Sequence, residues 1–150
     1  MCAGSFPNNR CSIDRANRRL WVYGLNLETN VRGFFGINVD TGNIEITTPL
    51  KTGLSGVTFG FNAASGRILM RCIDSATRDY TLYDVDPESG LYTLLYTLPS
   101  SFSLASNYRG EATVDSDNQI FWSYLLVNSV DLQLVRNVAS VDIIILYCHR

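Results

Sequence analysis

The chain has one histidine, His149, and no C-x-x-C pair among its four cysteines, Cys2, Cys11, Cys72 and Cys148. Zinc sites draw on closely spaced ligand pairs, which Cys148-His149 alone does not supply. Four thiols allow two disulfides by arithmetic, but 150 residues can form a core without them. Plain buried or edge thiols in a reducing, cytoplasmic compartment are therefore expected. No asparagine sits in an N-x-[ST] sequon, which points the same way. Residues 1–10 show no basic start followed by an apolar stretch, so no secretory signal is expected. No apolar run approaches the ~18–20 residues of a membrane span, and the longest, Ile143 to Cys148, is a strand's length. Neither sign of charge dominates. A net charge of −2 argues against a nucleic-acid or anionic-membrane partner held by bulk charge. The basic residues Arg10, Arg15, Arg18 and Arg19 are interrupted by Asp14 and read as a solvated turn.

The usual catalytic signatures are missing as well. There is no G-x-S-x-G elbow. Gly33-Phe34-Phe35-Gly36 lacks the glycine spacing and the following helix of a phosphate loop. Asp86-Pro87-Glu88-Ser89-Gly90 lacks the alternating acidic ligands of a calcium loop and reads as a turn with proline fixing φ. No window carries apolar residues at helical spacing for three turns, so no long helix is expected.

What the sequence does contain is short β-forming stretches with turn clusters between them. With 46% hydrophobic and 17% charged residues, the chain has the composition of a folded domain. Arg19–Tyr23, Gly33–Ile37, Ile44–Thr47, Val57–Phe61, Ile68–Met70, Tyr80–Tyr83 and Leu91–Tyr96 are rich in aromatic and β-branched residues. Ile120–Trp122 and Leu132–Val135 continue the series. Asp40-Thr41-Gly42-Asn43, Ala64-Ser65-Gly66, Asp86–Gly90 and Asp115–Asn118 are turn chemistry. Such spacing predicts an all-β sandwich, barrel or propeller.

Self-comparison selects among these. Ile13–Trp21 aligns with Phe61–Leu69 at an offset of 48 residues. The same offset aligns Phe35–Gly42 with Tyr83–Gly90, and Leu50 with Leu98, without a gap. A third copy opens at Val114–Phe121, its turn one residue shorter, with Ile120 lying 52 residues after Ile68. A period of ~40–50 residues holding four short strands is the pattern of a propeller blade. Each unit reads as an inner strand ending at Asp14, Asn62 or Asp115, a turn, an apolar second strand, a third strand leading into Asp-x-x-x-Gly, and an outer strand. Gly42, Gly66 and Gly90 fall where turns need positive φ.

The runs Phe61-Asn62-Ala63-Ala64-Ser65-Gly66-Arg67-Ile68-Leu69 and Leu82-Tyr83-Asp84-Val85-Asp86-Pro87-Glu88-Ser89-Gly90 resemble the repeat of the β-propeller superfamily that includes YVTN-type, NHL-type and quinoprotein-like (PQQ-like) blades. The likeness spans about residues 10–98 and extends more loosely over about 105–135. It implies an all-β, partial β-propeller of about three four-stranded antiparallel blades in one domain, over approximately 10–53, 54–103 and 104–150. Residues 137–150 lack the turn of the other units, and Val141–Leu146 does not match their outer strand. Closed propellers have roughly four to eight blades, so three leave two open flanks. Either two copies pair as a homo-oligomer, or the chain is part of a longer propeller.

The recurring carboxylates Asp14, Asp40, Asp84, Asp86, Glu88, Asp115 and Asp117 have two readings. In a metal-dependent propeller hydrolase, the equivalent residues Asp14, Asn62 and Asp115 would converge on the channel. Alternatively, each bonds the backbone of the turn it opens, which is the expectation favoured here. The aromatics are read as inter-blade core rather than as a ligand-stacking surface. No catalytic, cofactor-binding or metal-ligating residue is assigned, and no cofactor is expected. The resemblance implies a non-catalytic module that binds a protein or peptide partner, or further blades of the same protein. The alternative is a fragment of a lactonase-like hydrolase or quinoprotein-like oxidoreductase with catalytic groups in other blades.

Overall fold

The structure, a computed structural model, describes residues 11–98 throughout and, beyond them, the strands at 112–115, 120–126, 132–138 and 141–148. The described residues form twelve strands and no helix. The first four are β1 (Cys11–Asp14), β2 (Arg19–Asn26), β3 (Val31–Asn38) and β4 (Ile44–Pro49). The next four are β5 (Leu54–Asn62), β6 (Arg67–Asp74), β7 (Tyr80–Val85) and β8 (Tyr92–Leu98). The last are β9 (Ala112–Asp115), β10 (Ile120–Leu126), β11 (Leu132–Val138) and β12 (Val141–Cys148). Strands β1–β4 and β5–β8 each form an antiparallel sheet in chain order.

Local chemistry explains why these two sheets are alike. Asn38 and Asp86, 48 residues apart, close the turns after β3 and β7 in the same way. In the first turn, Asn38 Oδ1 accepts from the backbone N–H of Asp40 (2.9 Å) and Thr41 (3.1 Å), and Gly42 donates to the Asn38 carbonyl (2.8 Å). In the second, Asp86 Oδ1 accepts from Glu88 (3.0 Å) and Ser89 (3.2 Å), and Gly90 donates to the Asp86 carbonyl (2.9 Å). Asn26 and Asp74 do the same after β2 and β6. Side chains that bond the backbone two and three residues on set a turn without help from the rest of the fold. Gly42, Gly66 and Gly90 have φ of 73°, 69° and 74°. At position 66 the first sheet carries Arg18 instead, at φ 51°. That residue is tied to Asp40 by a bidentate ion pair, and its carbonyl accepts from Val39 N–H (2.9 Å), contacts that hold the left-handed conformation.

The two sheets pack against each other. Paired residues on neighbouring strands share a face. Trp21, Tyr23 and Phe34 of the first sheet meet Phe59, Phe61, Ile68, Met70, Tyr83 and Val85 of the second in one buried cluster. Phe34 lies edge-on to Phe59, with ring centroids 5.0 Å apart, and Trp21 stacks near Phe61 at 5.9 Å. Gly36 sits under the Trp21 ring. A Cβ there would come within 3.1 Å of the ring and 2.7 Å of Arg19 Cδ, so the strand stays bare where the indole lies over it. Hydrogen bonds join the sheets at their margins. Phe61 N–H donates to Ser12 Oγ (3.0 Å), Thr48 Oγ1 to the Pro87 carbonyl (2.6 Å) and Tyr92 Oη to the Pro49 carbonyl (2.9 Å). The other face of the second sheet, with Leu69, Arg71 and Leu82, is buried too. Strand β5 approaches both β1 and β9.

The third sheet corrects the expectation of three antiparallel units. Its strand order is β11-β12-β10-β9, and β10 pairs with β12 in parallel. The sequence signal is the unbroken run Ile143-Ile144-Ile145-Leu146. A strand without polar alternation suits the interior of a sheet better than its edge. Val141–Cys148 accordingly takes a central place, and β11 is displaced to the edge.

Candidate functional site

At the end of the sheets where the β1–β2, β5–β6 and β7–β8 turns meet, a half-open cleft of about 320 Å³ lies between the first and second sheets. Its volume is at the lower end of small-ligand sites. Trp21 and Phe61 are its apolar wall, Arg19 and Arg67 its cations, and Asp14, Asp86 and Glu88 its carboxylates. Arg19 and Arg67 are the first residues of β2 and β6, so each sheet brings one guanidinium to the same end.

The cations are held by neighbouring acids. Arg19 pairs with Glu45 (3.3 Å) in its own sheet and reaches Glu88 of the second sheet at 3.6 Å. Arg67 pairs with Asp84 (2.7 Å) and Asp86 (3.5 Å). The backbone N–H of Ser89, then its hydroxyl, hold the Asp86 carboxyl below the usual carboxylate range. Beneath this rim, Trp21 is 1% exposed and its Nε1–H has no acceptor; Arg19 Nε–H, also shut from solvent, has none either. A buried donor without a partner costs roughly 1–3 kcal/mol, so these two donors are held at a cost to the fold. The guanidinium of Arg19 stands 5.5 Å from the Trp21 ring centroid, a cation–π distance.

The residues singled out from the sequence fall into place differently. Asp14 and Asn62 end β1 and β5 at equivalent points, as expected. Asp14 accepts from Asn17 N (3.1 Å) and Asn17 Nδ2 (2.8 Å), and Asn62 Oδ1 from Ala64 N (3.1 Å). Both therefore bond their own turns. Asp115 ends β9. Asp117, Cys2 and His149 lie outside the described residues. Among the described residues, no three of Asp, Glu, His and Cys are grouped to hold a metal. Cys72 is buried and free, its Sγ 3.1 Å from Thr81 Oγ1, and burial pushes its thiol up to about 11. Cys11 is free and exposed. No helix of the described residues is long and apolar enough to cross a membrane.

The sequence reading did not find the cleft. Trp21 and Phe61 lie in the buried core as expected, whereas Arg19, expected in a solvated turn, begins β2 and pairs with Glu45. The signal available was the matching arginine at 19 and 67, since two charges at one repeat position project to one end of neighbouring sheets. No family model, curated protein or solved structure matches this chain.

Proposed function

We propose that the three sheets are neighbouring blades of a partial β-propeller, and that the module binds a protein or peptide partner at the end carrying the cleft. The observation that supports this reading most is the joining of two equivalent sheets into one polar-rimmed cleft with an aromatic wall. Partner side chains of either charge would meet the accessible Glu88 carboxylate and Arg67 guanidinium of the rim, and an apolar side chain would lie against the aromatic wall. A hydrolytic reading in which Asp14 and Asn62 hold a metal has little support, because their side-chain oxygens are engaged by their own turns.

The test is selection of peptides from a random displayed library on the full chain, followed by affinity measurement on Ser65→Arg. Ser65 is exposed on the cleft wall, so a long side chain there obstructs the opening without entering the core. The expected result is a peptide consensus whose affinity falls more than tenfold in the variant. Peptides that bind wild type and variant equally would refute the assignment of this end as the binding surface.

A further inference from the structure

The cleft between the first and second sheets is uneven in charge. Its lining holds the carboxylates of Asp14, Asp86 and Glu88 and the guanidiniums of Arg19 and Arg67. Both guanidiniums are also met by acids from outside the lining, Arg19 by Glu45 (3.3 Å) and Arg67 by Asp84 (2.7 Å). Five carboxylates thus stand around two cations. Arg15 and Arg18, on the turn between β1 and β2, do not line the cleft, and Arg18 is tied to Asp40. Asp86 keeps its charge at neutral pH, since the N–H and hydroxyl of Ser89 hold its carboxyl below the usual range.

The two signs of charge also differ in what they leave open to a ligand. The side chains of Arg19 and Arg67 are 15% and 28% exposed, and each faces two carboxylates. Glu88 is 72% exposed, and its 3.6 Å contact with Arg19 is the longest of these four ion pairs. A cation already enclosed by two anions gains little from a third. An open carboxylate beside a half-enclosed space with surplus negative charge gains from a cation, because the low-dielectric walls concentrate the field there.

We infer that the cleft takes one basic side chain of the partner, a lysine or arginine, with its charged head at Glu88 and its aliphatic stem against Phe61. The inference rests on the reading of this end as a peptide-binding surface. A space of about 320 Å³ suits a single side chain. Lysine and arginine join an apolar stem to a charged head, which matches an aromatic wall beside an open carboxylate. A bare metal ion does not fit, because among the described residues no three acids, histidines or cysteines are grouped to hold one. An acidic side chain would have to compete with Asp84 and Asp86 for Arg67 and would face the surplus carboxylates.

The test uses peptides selected on the full chain from a random displayed library, with affinity measured on wild type, Glu88→Gln, Glu88→Lys and Ser65→Tyr. The Glu88 side chain is exposed, and its turn is closed by the residue's backbone N–H, so the side chain can change without unfolding the turn. Ser65→Tyr narrows the opening without adding charge. The selected consensus should contain lysine or arginine. Its affinity should fall about threefold or more in Glu88→Gln and about tenfold or more in Glu88→Lys. Norleucine in place of the basic residue should weaken binding to wild type by the same factor as Glu88→Gln and cost nothing further in Glu88→Gln, a coupling that a purely structural effect of residue 88 would not produce. A consensus without a basic residue, or an affinity indifferent to both Glu88 variants, would overturn the inference. If such peptides still weaken in Ser65→Tyr, the binding surface stands and the preference for a cation alone is rejected. If Ser65→Tyr also has no effect, or no peptide is selected, the assignment of this end as a binding surface falls with it.

Discussion

If the first and second sheets share one core, Phe34 and Phe59 must be energetically coupled, although they belong to different sheets. Phe34 is fully buried, Phe59 is 2% exposed, and the rings meet at 5.0 Å with planes at 70°. Phe→Leu at either site removes three carbons from a closed environment. At ~0.8 kcal/mol per buried methylene, plus or minus relaxation of the cavity, each single change should cost about 1–3 kcal/mol. Edge-to-face aromatic pairs contribute ~0.5–1.5 kcal/mol beyond their buried area. The double variant Phe34→Leu/Phe59→Leu should therefore lose less than the two single losses added, by about that amount. Urea unfolding, followed by tryptophan fluorescence and by circular dichroism, gives the four stabilities of the cycle. The two probes should also trace one transition, because the cluster spans both sheets. Independent sites add to within ~0.3–0.5 kcal/mol. A coupling below about 0.3 kcal/mol, or two separated transitions, would refute a shared core.

Two further outcomes follow from single residues. Gly66 has φ of 69°, and nothing lies within 4 Å of where its Cβ would be, so Gly66→Val tests backbone conformation without a clash. It should destabilise by about 1 kcal/mol or more, and Gly66→Asn by less, because asparagine tolerates the left-handed region. An unchanged thermal midpoint for Gly66→Val would contradict the turn. Burial raises the Cys72 thiol to about 11, above the ~8.5 of a free thiol, so the unfolded chain ionises first as pH rises. The contribution is complete below ~8.5 and is lost as pH climbs toward 11. Stability should fall between about pH 8.5 and 10, and Cys72→Ala should flatten that fall. Mass-spectrometric mapping after brief alkylation of native protein should find Cys11 modified and Cys72 intact; comparable labelling of both would reject the buried site.

The strands and turns of the two antiparallel sheets were legible because their determinants are short-range. Asn38 and Asp86 bond backbone groups two and three residues on, and Gly66 and Gly90 satisfy a local φ requirement. Such interactions are written in consecutive residues, so aligned sequence becomes aligned strands: β2 at 19–26 and β6 at 67–74 coincide under the offset. The self-bonding of Asp14 and Asn62 was legible for the same reason. The left-handed Arg18 was not, because the partner that fixes it, Asp40, lies 22 residues away.

Tertiary structure alone decided the rest. The parallel pairing of β10 with β12 depends on which strands compete for the sheet interior, a choice made among segments more than twenty residues apart. The cleft exists only because Arg19 and Trp21 of one unit come to rest beside Phe61, Arg67 and Glu88 of the next. Sequence specifies strands and turns through bonds that each segment makes with itself. Which faces are then covered, and which polar groups are left without partners, depends on how separate sheets divide a limited apolar surface between neighbours and water.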